Sequence, residues 1–397
     1  MSWEKMKLND VCISISDGDH QPPPKANKGV PFVTISNITN TNQFDFSNTM
    51  FVPQEYYDGL DSKRKVQEGD VLYSIVGSFG IPVYIKNNTP FVFQRHIAIL
   101  RPNVYKIAPQ FLYYTMLNRD FYLKADATAI GAAQRTVSLT ALRNMEIEIP
   151  HIETQKKIAK ILSSYDNLID NNQKQIKLLE EAAQHLYKEW FVDLYFPGYE
   201  DVPIVDGVPE GWKKDTLSGI CYLKKITVLA GEVSPDTPYI GLEHMPRVDF
   251  CLSSWGNAGD VSSNKFFYEA DDIIFGKIRP YFHKVGFALN NGVVSTDSFV
   301  MRAQEGFWGL LLMTVFSKAF VDYSYQLCKE GAKMPRADWN QMKQYSVLVP
   351  DEQTRSCFEK NIRYITRQIK GLAFQNRLLA EARDRLLPKL MSGELEV

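Results

Sequence analysis

A chain of 397 residues with a net charge of −1 has no bulk positive charge, so any nucleic-acid surface on it must be gathered on one face. With 45% hydrophobic and 23% charged residues it reads as an ordinary globular protein, of roughly two to three domains at about 150 residues each. Its five cysteines (Cys12, Cys221, Cys251, Cys328, Cys357) are scattered and form no C-x-x-C pair, which argues against a disulfide framework or zinc site and fits a reducing cytosol.

The opening, from Trp3 to Cys12, has no apolar leader, and no run of about 18 apolar residues follows, so neither a signal peptide nor a membrane span is expected. Asp17-Gly18-Asp19-His20-Gln21, with three prolines before Lys25, reads as a solvated surface loop. Strands are expected at residues 30–35, 69–76 and 91–100, and helical spacing runs over 109–124. A tail from Gly131 to Pro150 leads into a long helix ending near Trp190. Residues 197–211, rich in Pro and Gly, read as a linker. Then the order recurs. Trp212, Leu217 and Cys221 open a second half, strands are expected at 238–242, 271–278 and 292–301, and helical spacing runs over 306–327. Gly331 to Pro350 repeats the tail, and a second long helix follows.

The repeat covers the whole chain, and a repeat decides the fold before any local detail does. Gly131 and Gly331, Pro150 and Pro350, Thr154 and Thr354, and Ala182 and Ala382 match at one constant offset. The divisions follow: a domain over 1–150, a helix over 151–196, the linker 197–211, a domain over 212–350, and a helix with a tail over 351–397.

Both helices carry an apolar seam on 4-3 spacing, from Ile158 to Trp190 and from Phe358 to Leu390. Such a seam predicts a coiled coil. At about 1.5 Å per residue, the first spans roughly 50 Å. Each seam holds one Asn. Setting Asn172 against Asn376 in an antiparallel pair also sets Ile158 against Leu390, Leu162 against Leu386, Ile169 against Leu379 and Ile176 against Leu372. Tyr165 then faces Arg383. Buried Asn is a known register device. The competing expectation packs each helix on its own domain. Pro388 should end or kink the second helix. The fold class is α+β: two similar globular domains separated by two long helices that form an antiparallel, pseudo-two-fold coiled coil.

No nucleotide cradle, nucleophile elbow, His metal spacing or base-gripping Asn/Asp-Pro-Pro-aromatic tetrapeptide occurs, so no cofactor and no catalytic residue is expected. This favours a binding or scaffold role.

The motifs Asp17-Gly18-Asp19-His20, Gly69-Asp70-Val71-Leu72, Gly131-Ala132-Ala133-Gln134 and Glu153-Thr154-Gln155-Lys156-Lys157-Ile158-Ala159, with the closing Leu390-Met391-Ser392-Gly393-Glu394-Leu395, resemble the specificity subunits of Type I restriction–modification systems. The resemblance implies two target recognition domains, each reading half of a bipartite site on double-stranded DNA. It implies helices that set the spacing and dock two methyltransferase (modification) subunits, two restriction subunits in the full complex, no catalysis by this chain and a cytoplasmic location. A step inserted in either helix should then change the gap between the half-sites. The second half lacks D-G-x-H and the tail Gln, so the two domains should read different sequences.

Candidate readers lie on loops, where Arg, Lys, Asn and Gln can reach base edges. In the first domain they are Asp17, His20, Gln21, Lys25, Ser74, Arg95, Gln134 and Arg135; in the second, Lys277, Arg279, Tyr281, His283, Lys333 and Arg336. Arg279→Ala should weaken binding to the cognate site. The alternatives are a specificity subunit whose partner fuses nuclease and methyltransferase, a coiled-coil scaffold that reads no DNA, and a methyltransferase with built-in recognition domains.

Overall fold

The computed structural model describes residues 3–39, 41–47, 49–131, 134–328 and 333–397. Ala132, Ala133, Gly331 and Ala332, parts of the two repeated tails, lie outside the described residues. The chain divides into two compact units, Met1–Leu168 with Leu379–Val397, and Ile169–Leu378. Each unit therefore contains the start of one long helix and the end of the other.

Each unit is built on the same plan. In the first, an antiparallel sheet runs in the order Cys12–Asp17, Ile97–Pro102, Val71–Ser74, Pro82–Tyr84. In the second, Cys221–Leu223, Ser298–Ala303, Ile273–Gly276 and Val285–Ala288 repeat that order, and Cys251–Leu252 adds a parallel edge. A short clasp closes each unit: Glu4–Lys7 pairs with Glu146–Ile149, and Lys213–Thr216 with Ser346–Val349. The strands Val71–Ser74 and Ile273–Gly276 are buried throughout, as their continuous apolar runs require.

The expected strands at 91–100 and 292–301 each divide in two. Val92–Phe93 and Ile97–Pro102 belong to different sheets, as do Gly292–Ser295 and Ser298–Ala303. A polar turn, Gln94–His96 in the first unit and Thr296–Asp297 in the second, hands the chain from one sheet to the next. The helical stretches also divide. Asn118 and Ser317 are extended caps whose side chains accept from the amides of Asp120 and Phe320, so each stretch becomes two helices. The linker holds a small hairpin, Ile204–Val205 with Val208–Pro209, and Phe196 packs on Trp212 at 4.6 Å.

The long helices are Ile152–Phe191 and Glu352–Met391. In the first unit Ile158 and Leu162 share a core with Leu387 and Leu390. In the second, Ala183 and Trp190 share a core with Phe358 and Ile362. The start of one helix meets the end of the other in both, so the helices run antiparallel. Each helix also packs on the sheet and short helices of the units it crosses, so the two expectations for the helices are not exclusive.

Three seam details differ from expectation. Asn172 is buried and donates through Nδ2 to Gln375 Oε1 at 3.1 Å, one residue before Asn376; Asn376 Oδ1 is buried without a hydrogen bond. Arg383 turns from Tyr165 to Asp166, donating through Nη1 to Oδ1 at 2.6 Å, because a carboxylate outweighs a ring for a half-buried guanidinium. Tyr114 Oη holds the other oxygen of Asp166 at 2.5 Å. Pro388 neither ends nor is followed by the end of the helix at once; it sits inside, a turn before Met391. Leu387, Leu390 and Met391 are buried, and that packing carries the last turn past the missing N–H.

One buried carboxyl of the long helices meets the edge strand of the second sheet. Glu180 on the first long helix accepts from the amides of Phe250 and Cys251 at 3.0 and 3.1 Å. Burial, reinforced by Asp249, lifts its pKa to about 8 against the pull of those two amides. The folded state then keeps a proton that the unfolded chain releases above about pH 4.5. This contribution to stability is complete below that pH and is lost as pH rises towards about 8. Urea unfolding of Glu180→Gln should show a weaker decline over that window than the parent; identical slopes would contradict the assignment.

Candidate functional site

At one end of the first sheet, the ends of Cys12–Asp17 and Val71–Ser74 meet the start of Ile97–Pro102. Three loops converge there. Asp19 N donates to Phe93 O at 2.9 Å and Arg95 N to Asp19 O at 3.0 Å, stitching the D-G-D-H loop to the 94–96 turn. A Cβ on Gly18 would lie 2.2 Å from Phe93 O, so only glycine allows the loop this close. The tail crosses the same end: Val137 N donates to Ile75 O at 2.9 Å and Gly77 N to Arg135 O at 2.9 Å.

The result is an open cleft lined by Asp17, Arg95, His96 and Gln134, floored by Ile75, Val76 and Val137 and flanked by Ser138. Arg95 and Gln134 are exposed. Asp17 Oδ2 is held at 2.8 Å by His20 Nε2. Burial, with Arg95 alongside, lowers the His96 pKa. The cleft thus offers a carboxylate, a guanidinium and an amide on a shallow apolar floor. These are groups that read base edges. Gln21 and Lys25 are exposed on the loop beyond and do not line the cleft.

Two expectations here fail. Ser74 is fully buried, and its Oγ accepts from Ile81 N at 2.9 Å, fixing the turn between two strands instead of facing outward. Asp19 is not solvated: it is 9% exposed, and one of its oxygens is buried without a partner. Arg135 is exposed but tied to Asp126 through both its carboxylate and its carbonyl.

In the second unit the corresponding turn brings Lys277, Arg279, Tyr281 and His283 together. Ala337 N donates to Lys277 O at 2.9 Å, and Arg279 N to Pro335 O at 2.8 Å, so the tail crosses here as well. Lys277 is half-buried, with Nζ on Thr296 O at 2.6 Å and over the rings of Phe266 and Phe299; burial lowers its pKa. His283 donates to Phe316 O at 2.7 Å, closing the end of a helix, and burial lowers its pKa too. Both are anchors of the turn. Arg336 is exposed and pairs with Asp297 at 2.9 Å, and Lys333 is exposed. Tyr281 is 46% exposed, and Arg279 Nε is buried without a partner.

Arg247 was not legible as part of this turn. It stacks on Phe282 at 4.0 Å from a separate loop, and no spacing links positions 247 and 282. The Gly-Asp motif, by contrast, is structural. Asp70 is bidentate to Arg101 (3.0 and 2.9 Å), and Asp272 is bidentate to Arg302 (2.7 and 3.0 Å). Gln155, from the helix-start motif, is 1% exposed and bonds Ala108 N and Pro150 O, each at 2.9 Å.

Residues 1–181 match the family model described as Type I restriction modification DNA specificity domain. The MjaIX specificity subunit of a type I restriction enzyme from Methanocaldococcus jannaschii is 25% identical over 426 aligned positions, covering 100% of this chain and 94% of that protein. The MjaX specificity subunit of the same organism is 27% identical over 246 residues; that match takes in 60% of this chain and only 56% of the relative. Among solved structures, the S subunit of a Type I restriction–modification system from M. genitalium shares the fold, with a TM-score of 0.58 at 14% identity over 98% of this chain and 96% of that one.

Proposed function

We propose, because this chain belongs to the family of Type I restriction–modification specificity subunits, that it is the non-catalytic DNA-recognition subunit of such a complex. Each unit reads one half of a bipartite site in double-stranded DNA, and the long helices dock two modification subunits, with two restriction subunits joining in the full complex. The observation that carries this reading is the convergence, at one sheet end of the first unit, of three loops bearing exposed polar and cationic side chains on a shallow floor, with the tail crossing the corresponding turn of the second unit in the same way. Direct readout needs that shape: an open ledge presenting Arg, Gln and Asp to a groove. No helix among the described residues is long and apolar enough to cross a membrane.

Arg95 and Gln134 separate the two kinds of contact. Gln134→Ala should cost about 1–3 kcal/mol on the cognate duplex and little on unrelated DNA. Arg95→Ala, if it meets phosphate, should weaken both alike and flatten the salt dependence. Titrations of the complex with its modification subunits, at several salt concentrations, separate these outcomes. Unchanged affinity in both variants would remove this cleft from the reading surface.

A further inference from the structure

We propose that Phe79 and Tyr281 are stacking wedges, each inserted at a base step of the half-site read by its own unit. This rests on the DNA-reading role above and adds to it a way of deforming the duplex.

The two residues occupy the same place. In the first unit the strand Val71–Ser74 leaves through Ile75 and Gly77, whose backbones bond the tail at Val137 and Arg135; in the second, Ile273–Gly276 leaves through Lys277 and Arg279, bonded to Ala337 and Pro335. Two residues further on stands an aromatic in each: Phe79 and Tyr281. Each leans on a tyrosine of the neighbouring short helix. Phe79 stacks on Tyr122 at 5.6 Å and 7°, and Tyr281 meets Tyr325 edge-on at 5.1 Å and 75°. Each has a guanidinium close by. Arg135 lies 5.7 Å from the Phe79 ring; in the second unit Arg247 and Arg279 lie 4.0 and 5.7 Å from Phe282, whose ring adjoins Tyr281 at 4.9 Å.

The backbone is set for display. Gly77 takes φ +70 freely, but its counterpart Arg279 takes φ +51 as a non-glycine, and His283 takes φ +53 four residues later. Left-handed residues on both sides of residues 280–282 hold the turn outward at a cost that packing must meet. Tyr281 and Tyr325 are both 46% exposed, a fixed apolar edge beside cations. An aromatic edge beside a guanidinium suits a base step: the ring takes the stacking place of a base, and in the second unit the exposed Arg247 meets a neighbouring phosphate. The pair acts by deforming the site, separately from the base-edge contacts of the cleft.

The test uses the complex of the full chain with its modification partner and a duplex that the wild-type complex enriches from a randomised library. 2-Aminopurine is placed at each position in turn. Binding should brighten one step in each half-site. Tyr281→Ala should abolish the signal in one half-site only and lower affinity for the enriched duplex on the order of tenfold, with affinity for unselected DNA unchanged. Tyr281→Phe, which keeps the ring, should retain both. Phe79→Ala should darken the other half-site and Phe79→Tyr should spare it. Enriched duplexes that stay dark at every position, or Tyr281→Ala brightening like wild type, overturn the wedge and leave the DNA-reading role intact. A library that enriches no sequence overturns that role, and the wedge with it.

Discussion

Replacing Asp70 with alanine destabilises the first unit by about 3–5 kcal/mol, because it leaves the Arg101 guanidinium without its counter-ion in a nearly closed site. Asp70 is 2% exposed; both its oxygens meet Arg101, and one also accepts from Gln67 N at 2.8 Å. The loss therefore includes a turn hydrogen bond as well as the ion pair. Most of the cost is the stranded charge, so Asp70→Ala with Arg101→Leu should recover a substantial part of it. Urea unfolding of the two variants and the parent measures this. A single variant within about 0.5 kcal/mol of the parent, a shift typical of surface positions, would show that the pair does not hold the turn.

Phe358→Ala should cost the second unit about 3–5 kcal/mol, the range for deleting a buried ring. Phe358 is 1% exposed, and its ring meets Phe191 at 4.7 Å and Trp190 at 5.6 Å. It is where the start of the second long helix locks onto the end of the first. Phe358→Leu keeps most of the volume and should cost less than half as much. The same unfolding experiment reads both. If alanine and leucine behave alike, the ring cluster is not what joins the helices here.

The repeat was legible because it is written in identities at one offset, and the helices because a 4-3 seam has few other meanings. Loops were less so. The Gly-Asp-Val-Leu motif was visible, but its partners Arg101 and Arg302 stand one sheet neighbour away, which no linear spacing encodes. Ser74 read as a reader because a polar residue at a strand end faces outward as often as inward; the Ile81 amide draws it in. The seam register was readable to within one residue. Asn172 bonds Gln375 and not the adjacent Asn376, a choice that a heptad pattern does not contain. Of the residues that line the cleft, Asp17 and Gln134 stood out in the sequence beside Gly18 and Gly131, and Arg95 as a cation between two apolar stretches. Arg247 and Tyr122 did not, because they reach the site by packing from other elements.

In the proposed role this chain chooses a bipartite DNA site for a modifying complex, and the methylated bases in the genome of a host that expresses the chain with its modification partner reveal that choice. Methylated adenines are expected within a single motif of two specified halves and a gap of fixed length, absent when the chain is deleted and altered in one half only by substitution in one unit. Methylation of an uninterrupted motif, or a pattern indifferent to the presence of this chain, would contradict that role.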